Sequence, residues 1–388
     1  MNETATRLLI ALIRHDVCGE ELTDEVRREL TADTIPALYR LSKAHDMAHI
    51  AAHVLDREGL LGTDELSKKV RKQYLLAIYR HQQFLYTIGQ IEQTLDAAQI
   101  DFIPLKGSVL REKYPEGWMR TSCDVDVLVH PEDLERAKQA LIGTCGYKQT
   151  AVTPHDVTLC APNGVHVELH HTLIEDGRVA KIDSFLARVW DYATPAPDCP
   201  HRMVLADEMF YFYHVAHTAK HFIGGGCGIR PLVDDWILQH RVPHDVEKRN
   251  ALLEKGGLSD FESAKNRLRA VWFGEEAHDE LTLQMQSFIL SGGTYGSAET
   301  HVIVQKNKKG GGTRYLLSRI FTPYNTLKHH YPVLKKHRWL MPVMLVRRWL
   351  TLLLQGKSRK LIKEINVVRT ASDEKTDAAV DMLSRLGL

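Results

Sequence analysis

The sequence predicts an α+β protein, with a small mixed β-sheet core flanked by N-terminal and C-terminal helical regions. Three observations carry that expectation. Apolar residues recur at three- and four-residue spacing through most of positions 1–100, as in "V-R-K-Q-Y-L-L-A-I-Y-R-H-Q-Q-F-L", the spacing of helices that bury one face. Short β-branched runs punctuated by turn residues replace that period between about residues 101 and 172. From about Val204 the helical period returns.

Within the central stretch the elements follow in order. "I-D-F-I-P-L-K-G-S" reads as a strand ending in a glycine turn, and "V-L-R-E-K-Y-P" as a helix start halted near Pro115. "C-D-V-D-V-L-V" is a strand. The helix after it opens at Pro131, with Glu132 and Asp133 at the positive end of its dipole, and closes near Gly143 and Gly146. "V-T-L-C-A-P" and "V-H-V-E-L-H-H" flank Asn163-Gly164, a hairpin signal. Farther on, "L-S-G-G-T-Y-G-S" and "K-N-K-K-G-G-G-T" bracket an exposed loop region between 290 and 313.

The 388 residues, 44% hydrophobic and 26% charged, suit two or three packed globular units and exclude a disordered or fibrous chain. The start "M-N-E-T-A-T-R-L-L-I-A-L-I-R-H-D" does not read as a secretory signal, and no apolar run is long enough to span a bilayer. The six cysteines are scattered without a C-x-x-C pair, which suits reduced thiols and a cytoplasmic location. Charge is unevenly placed: His301 to Lys363 holds fifteen Lys and Arg and no Asp or Glu, so the rest of the chain carries about −14. That basic segment predicts an anionic partner. Its apolar stretch around Trp339, Arg347, Arg348 and Trp349 fits an anionic membrane surface, a cleft for RNA or a sugar phosphate, or a buried helix that balances the acidic remainder. The last is the favoured reading.

Asp124 and Asp126 lie two apart on one face of a strand, with Val125, Val127 and Val129 on the other. Side-by-side carboxylates repel unless a cation lies between them. Magnesium, or manganese in its place, removes that cost by taking carboxylate and phosphate oxygens. Glu168 in a second strand supplies a third acid, and three acids can hold the ions that clamp a phosphoryl transfer. Ahead of both, "P-L-K-G-S-V-L" is a strand-to-helix turn. Gly107 permits close backbone approach there, Ser108 offers a hydroxyl, and a helix N-terminus favours phosphate.

The order "L-K-G-S", "R-x-x-x-D-V-D-V-L-V", "G-Y", "H-V-E-L-H" resembles the uncharacterised nucleotidyltransferases of the DNA polymerase β-like superfamily. "A-A-Q-I-D-F-I-P-L-K-G", "H-V-A-H-T-A-K-H", "I-R-P-L-V-D-D-W-I-L" and "Y-P-V-L-K-K-H-R-W-L-M-P" extend the likeness over about residues 30 to 355, with 101 to 172 its specific part. The resemblance implies a nucleotidyltransferase core that moves a nucleoside monophosphate from an NTP such as ATP to an acceptor hydroxyl. The acceptor, whether small molecule, protein or RNA, stays open, as does a catalytically inactive nucleotide- or RNA-binding module on the same fold. It places the triphosphate at Gly107 and Ser108 and the metal at Asp124, Asp126 and Glu168, where many relatives have aspartate at the third position. Four regions are expected: N-terminal helices to 100, the nucleotidyltransferase core from 101 to 200, a helical domain from 201 to 290 that closes the cleft, and a basic helical region from 291 to 388.

Eight further residues have competing readings. Arg120 binds triphosphate oxygens through its guanidinium fork, or pairs with Asp124 or Asp126. Lys106 meets the nucleotide or is a solvated strand-end lysine. His214, His217 and His221 share a helical face, where packing outweighs a zinc site and His217 is a candidate on the acceptor side. His170 can orient a carboxylate or stand on the acceptor side. Asp234 or Asp235 is a candidate base on the acceptor side, or caps a helix and pairs with Arg230.

Overall fold

The computed structural model describes residues 2–174, 180–295, 321–324, 327–328, 331–354 and 373–388. The chain opens with helices α1 (Glu3–Ile13), α2 (Asp24–Glu29), α3 (Ile35–Ala44), α4 (Ala48–Arg57) and α5 (Glu65–Ala97). At 33 residues, α5 is about 50 Å long. Its first turn is closed by the Asp64 carboxylate, which accepts from the Leu66 and Ser67 N–H groups that have no partner inside the helix.

Next come β1 (Phe102–Pro104), α6 (Gly107–Leu110), β2 (Asp124–Val129), α7 (Leu134–Cys145), β3 (Lys148–Val152), β4 (Asp156–Cys160), β5 (His166–His170), α8 (Ala180–Leu186), β6 (Ala193–Ala196) and β7 (Cys199–Leu205). The later helices are α9 (Asp207–Gly224), α10 (Arg230–Arg241), α11 (Val246–Gly256), α12 (Ser259–Phe273), α13 (Glu280–Gly292), α14 (Val333–Lys336), α15 (Met341–Leu354) and α16 (Asp373–Arg385). The fold is the expected α+β class.

The seven strands form one mixed sheet in the order β3-β4-β5-β2-β1-β7-β6. β2 runs parallel to β5 and β1 parallel to β7, and the other pairs are antiparallel. The β4–β5 hairpin turns at Asn163-Gly164, where Gly164 has φ +87° and the Asn163 side chain accepts from Val165 N–H. Three strands were not expected. β3 is exposed along its whole length, so no apolar alternation announced it. β6 and β7 carry Pro195 and Pro200 and few aliphatic residues, and β7 is held to β1 at the Phe102–Arg202 pair.

Each face of β2 meets a different core. Val125, Val127 and Val129 pack with Phe84, Ile91 and Leu95 of α5 and with Ala137 and Leu141 of α7. On the other face Leu128, with Ile103 of β1, joins a larger core continuous through α1, α4, α9, α10 and α12. The N-terminal helices and those after residue 205 therefore share one interior, and the polar members of this second sheet face lie at its edge.

Among the described residues no helix is long and apolar enough to cross a membrane. Of the loop expected from 290 to 313, α13 reaches Gly292 and a turn covers Gly293–Tyr295; the rest lies outside the described residues, as does much of the basic segment from 301 to 363. Leu141 is fully buried and Val152 is 63% exposed. Leu141→Ala should therefore lower the unfolding free energy by about 2–5 kcal/mol. Val152→Ala should stay within about 0.5 kcal/mol of wild type in the same denaturant titration.

Candidate active site

Because β2 and β5 are parallel and in register, Asp124 lies beside His166 and Asp126 beside Glu168. Register partners project to the same side of a sheet, and so does His170, two residues after Glu168. Ligand atoms of Asp126, Glu168 and His170 come within 4.8 Å of one another, and no other such group occurs among the described residues. They line an open cleft with Lys106, Gly107, Arg120, Asp124, His217 and Lys220 on its walls. The sequence had Asp124, Asp126 and Glu168 converging. The tight trio instead contains His170, while Asp124 lines the same cleft one strand step away.

Asp126 is the electrostatic centre. Its Oδ1 accepts from Lys106 Nζ at 2.7 Å and lies 2.9 Å from His170 Nε2. Burial pushes its carboxyl up, yet the Lys106 ammonium and the His170 ring outweigh burial and hold it well below the usual carboxylate range. The same contacts act in reverse on the partners. Burial disfavours the charged His170, but bonding to Asp126, and to Glu168 at 3.5 Å, raises its pKa. Lys106 is likewise raised against burial, by Tyr213 and Asp126.

Asp124 has no such compensation. Burial, then repulsion from Asp126 and Glu168, push its carboxyl from 3.8 up to about 6, against the pull of Lys106 and Arg120. Asp124, Asp126 and Glu168 offer the carboxylate oxygens that a hard divalent cation takes, and such an ion would offset both the burial and the mutual repulsion that raise Asp124. The residues present thus fit a divalent ion.

The turn before α6 is built for close approach. A Cβ on Gly107 would meet Ser122 Oγ at 3.1 Å and Cβ at 3.2 Å. Lys106 has φ +47° and ψ −120°, a conformation that costs a non-glycine residue about 1–3 kcal/mol. That twist accompanies the delivery of its Nζ to Asp126. Ser108 is buried, its hydroxyl has no hydrogen-bond partner, and its backbone N–H is given to Leu105 O. Such an orphan hydroxyl costs free energy, and Ser108, expected to hold the triphosphate, is not among the residues lining the cleft, whereas Gly107 is.

Arg120 does not pair with Asp124 or Asp126. Its Nε donates to Asp234 Oδ1 at 2.7 Å and its Nη1 to Thr121 O at 2.6 Å. Tyr114 Oη donates to the same Asp234 oxygen at 2.6 Å. Asp234, at 1% exposure, thus holds Arg120 in the cleft wall and is engaged by two donors. Arg230 pairs with Asp46, between α3 and α4, rather than with Asp234. Thr121 Oγ1 donates to Asp46 Oδ2 at 2.9 Å.

The three histidines of α9 diverge. His217 and His221 place their Nε2 atoms 3.0 Å apart at the cleft. Burial, then Lys106 and His221, drop the His217 pKa well below its ordinary value, so that ring is neutral. His214 Nε2 lies 3.4 Å from Asp235 Oδ1. Asp235 is fully buried in a charge cluster, with Lys265 Nζ at 2.8 Å and Arg269 Nη1 at 3.0 Å, and Glu262 bridges both cations. It takes no part in the cleft.

Lys220, His155, Asp156 and Thr218 also line the cleft and were missed. Lys220 was within reach of the sequence, being one turn beyond His217 on α9. Burial, then Lys106, lower its pKa to about 8. His155 and Asp156 sit at a hairpin start that carries no signal of chemistry.

A cleft with paired strand carboxylates beside a glycine-serine turn defines a phosphoryl-transfer type of site. Residues 31–274 match the family model described as uncharacterised nucleotidyltransferase, and the chain belongs to that family. A solved structure described as that of the antibiotic-resistance factor ANT(2'')-Ia shares 10% identity at a TM-score of 0.30, over 47% of this chain and 94% of that one. No curated protein matches the chain.

Because folding raises the Asp124 pKa, its ionised form destabilises metal-free protein. That penalty is absent below 3.8, grows through the interval to about 6, and is full above it. Asp124→Asn should therefore raise the melting temperature in chelator above pH 6, with the gain fading as pH falls toward 4. At Lys106 two variants isolate the backbone strain, since both remove the ammonium. Denaturant titration should find Lys106→Gly more stable than Lys106→Ala by about 1 kcal/mol.

Proposed function

We propose that this protein is a divalent-metal-dependent nucleotidyltransferase that moves a nucleoside monophosphate from an NTP to an acceptor hydroxyl. The observation that carries the reading is the in-register placement of Asp126 beside Glu168 on the cleft floor. Asp124, Asp126 and Glu168 would hold Mg²⁺ or Mn²⁺. Once bound, the ion neutralises charge developing on the phosphoryl oxygens.

The chain's own residues do the rest. Gly107 admits the triphosphate close to the backbone, and Arg120, held by Asp234, presents a positioned guanidinium. His170 fixes the Asp126 carboxylate. The acceptor oxygen attacks the α-phosphorus in line, the bond to the bridging oxygen breaks, and pyrophosphate leaves. His217 lines the cleft on the proposed acceptor side and, as a neutral ring, accepts a hydrogen bond from the acceptor hydroxyl, whose proton passes to solvent. Behind it opens a small side pocket, which shares His170, His217 and Lys220 with the cleft and is otherwise walled mainly by apolar side chains such as Leu173, Ile182 and Ile223. It suits an acceptor with an apolar portion.

One observation favours a second reading, a catalytically inactive nucleotide- or RNA-binding module. The Lys106 ammonium already neutralises Asp126. The test is incubation with α-labelled ATP, CTP, GTP and UTP, Mg²⁺ and a small-molecule extract as acceptor source. Transferred label is expected from at least one nucleotide, and Asp126→Asn and Asp124→Asn should reduce it by about 10²-fold or more. Nucleotide binding with no transferred label, unchanged in both variants, would establish the inactive module.

A further inference from the structure

Helix α15 displays apolar side chains that the other described residues leave exposed. Val343, Val346 and Leu350 are 54%, 60% and 55% exposed, and Trp339, in the turn leading into the helix, is 75% exposed. From Met341 to Thr351 no residue is buried. A helix of a globular protein buries its apolar face, as α9 does with Phe210, Phe212, Val215 and Phe222. Here spacings of four, three and four residues place the exposed side chains along a single stripe.

Close to α15 in the chain, the described charged residues Lys328, Lys335, Lys336, Arg338, Arg347 and Arg348 are all basic. His301 to Lys363 contains fifteen Lys and Arg and no Asp or Glu. Next to the stripe, Arg338 lies over the Tyr324 ring at 4.6 Å and Arg347 over Tyr331 at 5.9 Å. The favoured sequence reading, a buried helix balancing the acidic remainder, is not what α15 shows.

We propose that α15 docks the protein onto an anionic bilayer surface. Trp339, Val343, Val346 and Leu350 enter the boundary between headgroups and acyl chains, and the flanking Lys and Arg side chains meet lipid phosphates. Fourteen residues make a helix of about 21 Å, short of the ~30 Å hydrocarbon core, so it lies in the surface and does not cross. Nucleic acid would engage the cations but leave the aliphatic stripe in water, since bases stack on aromatic rings. A second copy would bring one basic surface against another, which repels. Lipid satisfies both halves of the surface. The inference is independent of the transferase reading.

The experiment is co-sedimentation of the full-length protein with vesicles of equal parts phosphatidylglycerol and phosphatidylcholine, against phosphatidylcholine alone. Binding is expected to the anionic vesicles only, and to weaken as salt rises from about 0.1 M to about 1 M, where charge is screened within a few ångströms. Val346→Glu and Leu350→Glu should each weaken binding about tenfold or more, with unchanged melting temperatures because both positions are exposed. Equal binding to both vesicle types, or anionic binding untouched by these variants, would overturn the proposal. So would absence of vesicle binding, whether or not the protein retains single-stranded RNA or forms a dimer that Val346→Glu dissolves.

Discussion

A carboxylate at 3% exposure inside a sheet is stable only in the company of cations, and the cleft is organised around meeting that condition at Asp126. Lys106 and His170 reach the same oxygen from opposite neighbours, one from the turn after β1 and the other from the end of β5. Lys106 adopts an unfavourable backbone conformation there, and His170 is thereby placed to touch Glu168 as well. Asp124 stays raised, first by burial and then by Asp126 and Glu168, against the pull of Lys106 and Arg120.

Around this centre lies a ring of charges that ties distant segments to the sheet. Asp234 of α10 holds Arg120 and Tyr114, and Asp46 of the N-terminal region binds Thr121 and Arg230. Deeper in, Asp235, Lys265, Glu262 and Arg269 join α10 to α12 without exposure to the cleft. Buried ion pairs are weak contributors to net stability but severe when one partner is missing. Their effect here is to set how the helices stand over β2 and β5, and so the position of each cleft wall.

Much of the site was legible because strand geometry is simple. The alternation of Val125, Val127 and Val129 with Asp124 and Asp126 reads directly into faces, and the structure puts those valines into the α5–α7 core. Asn163-Gly164 identified the hairpin that brings Glu168 alongside. Less was legible where pairing is distant. Arg120 and Asp234 are 114 residues apart, and nothing in either segment names the other. β3 and β7 lack the alternation that marks a half-buried strand, because β3 faces water and β7 lies toward an edge.

By itself the sequence determined the α+β class, the carboxylates along β2 and β5, and the charge asymmetry of the C-terminal part. Each is a matter of local period or composition, which short-range stereochemistry translates into structure. Only the tertiary structure decided that His170 rather than Asp124 closes the tight trio, that Asp234 serves Arg120, and that the other described residues leave the α15 stripe exposed. Those outcomes depend on register and on which faces meet across long separations, and a long separation leaves no periodic trace in the chain.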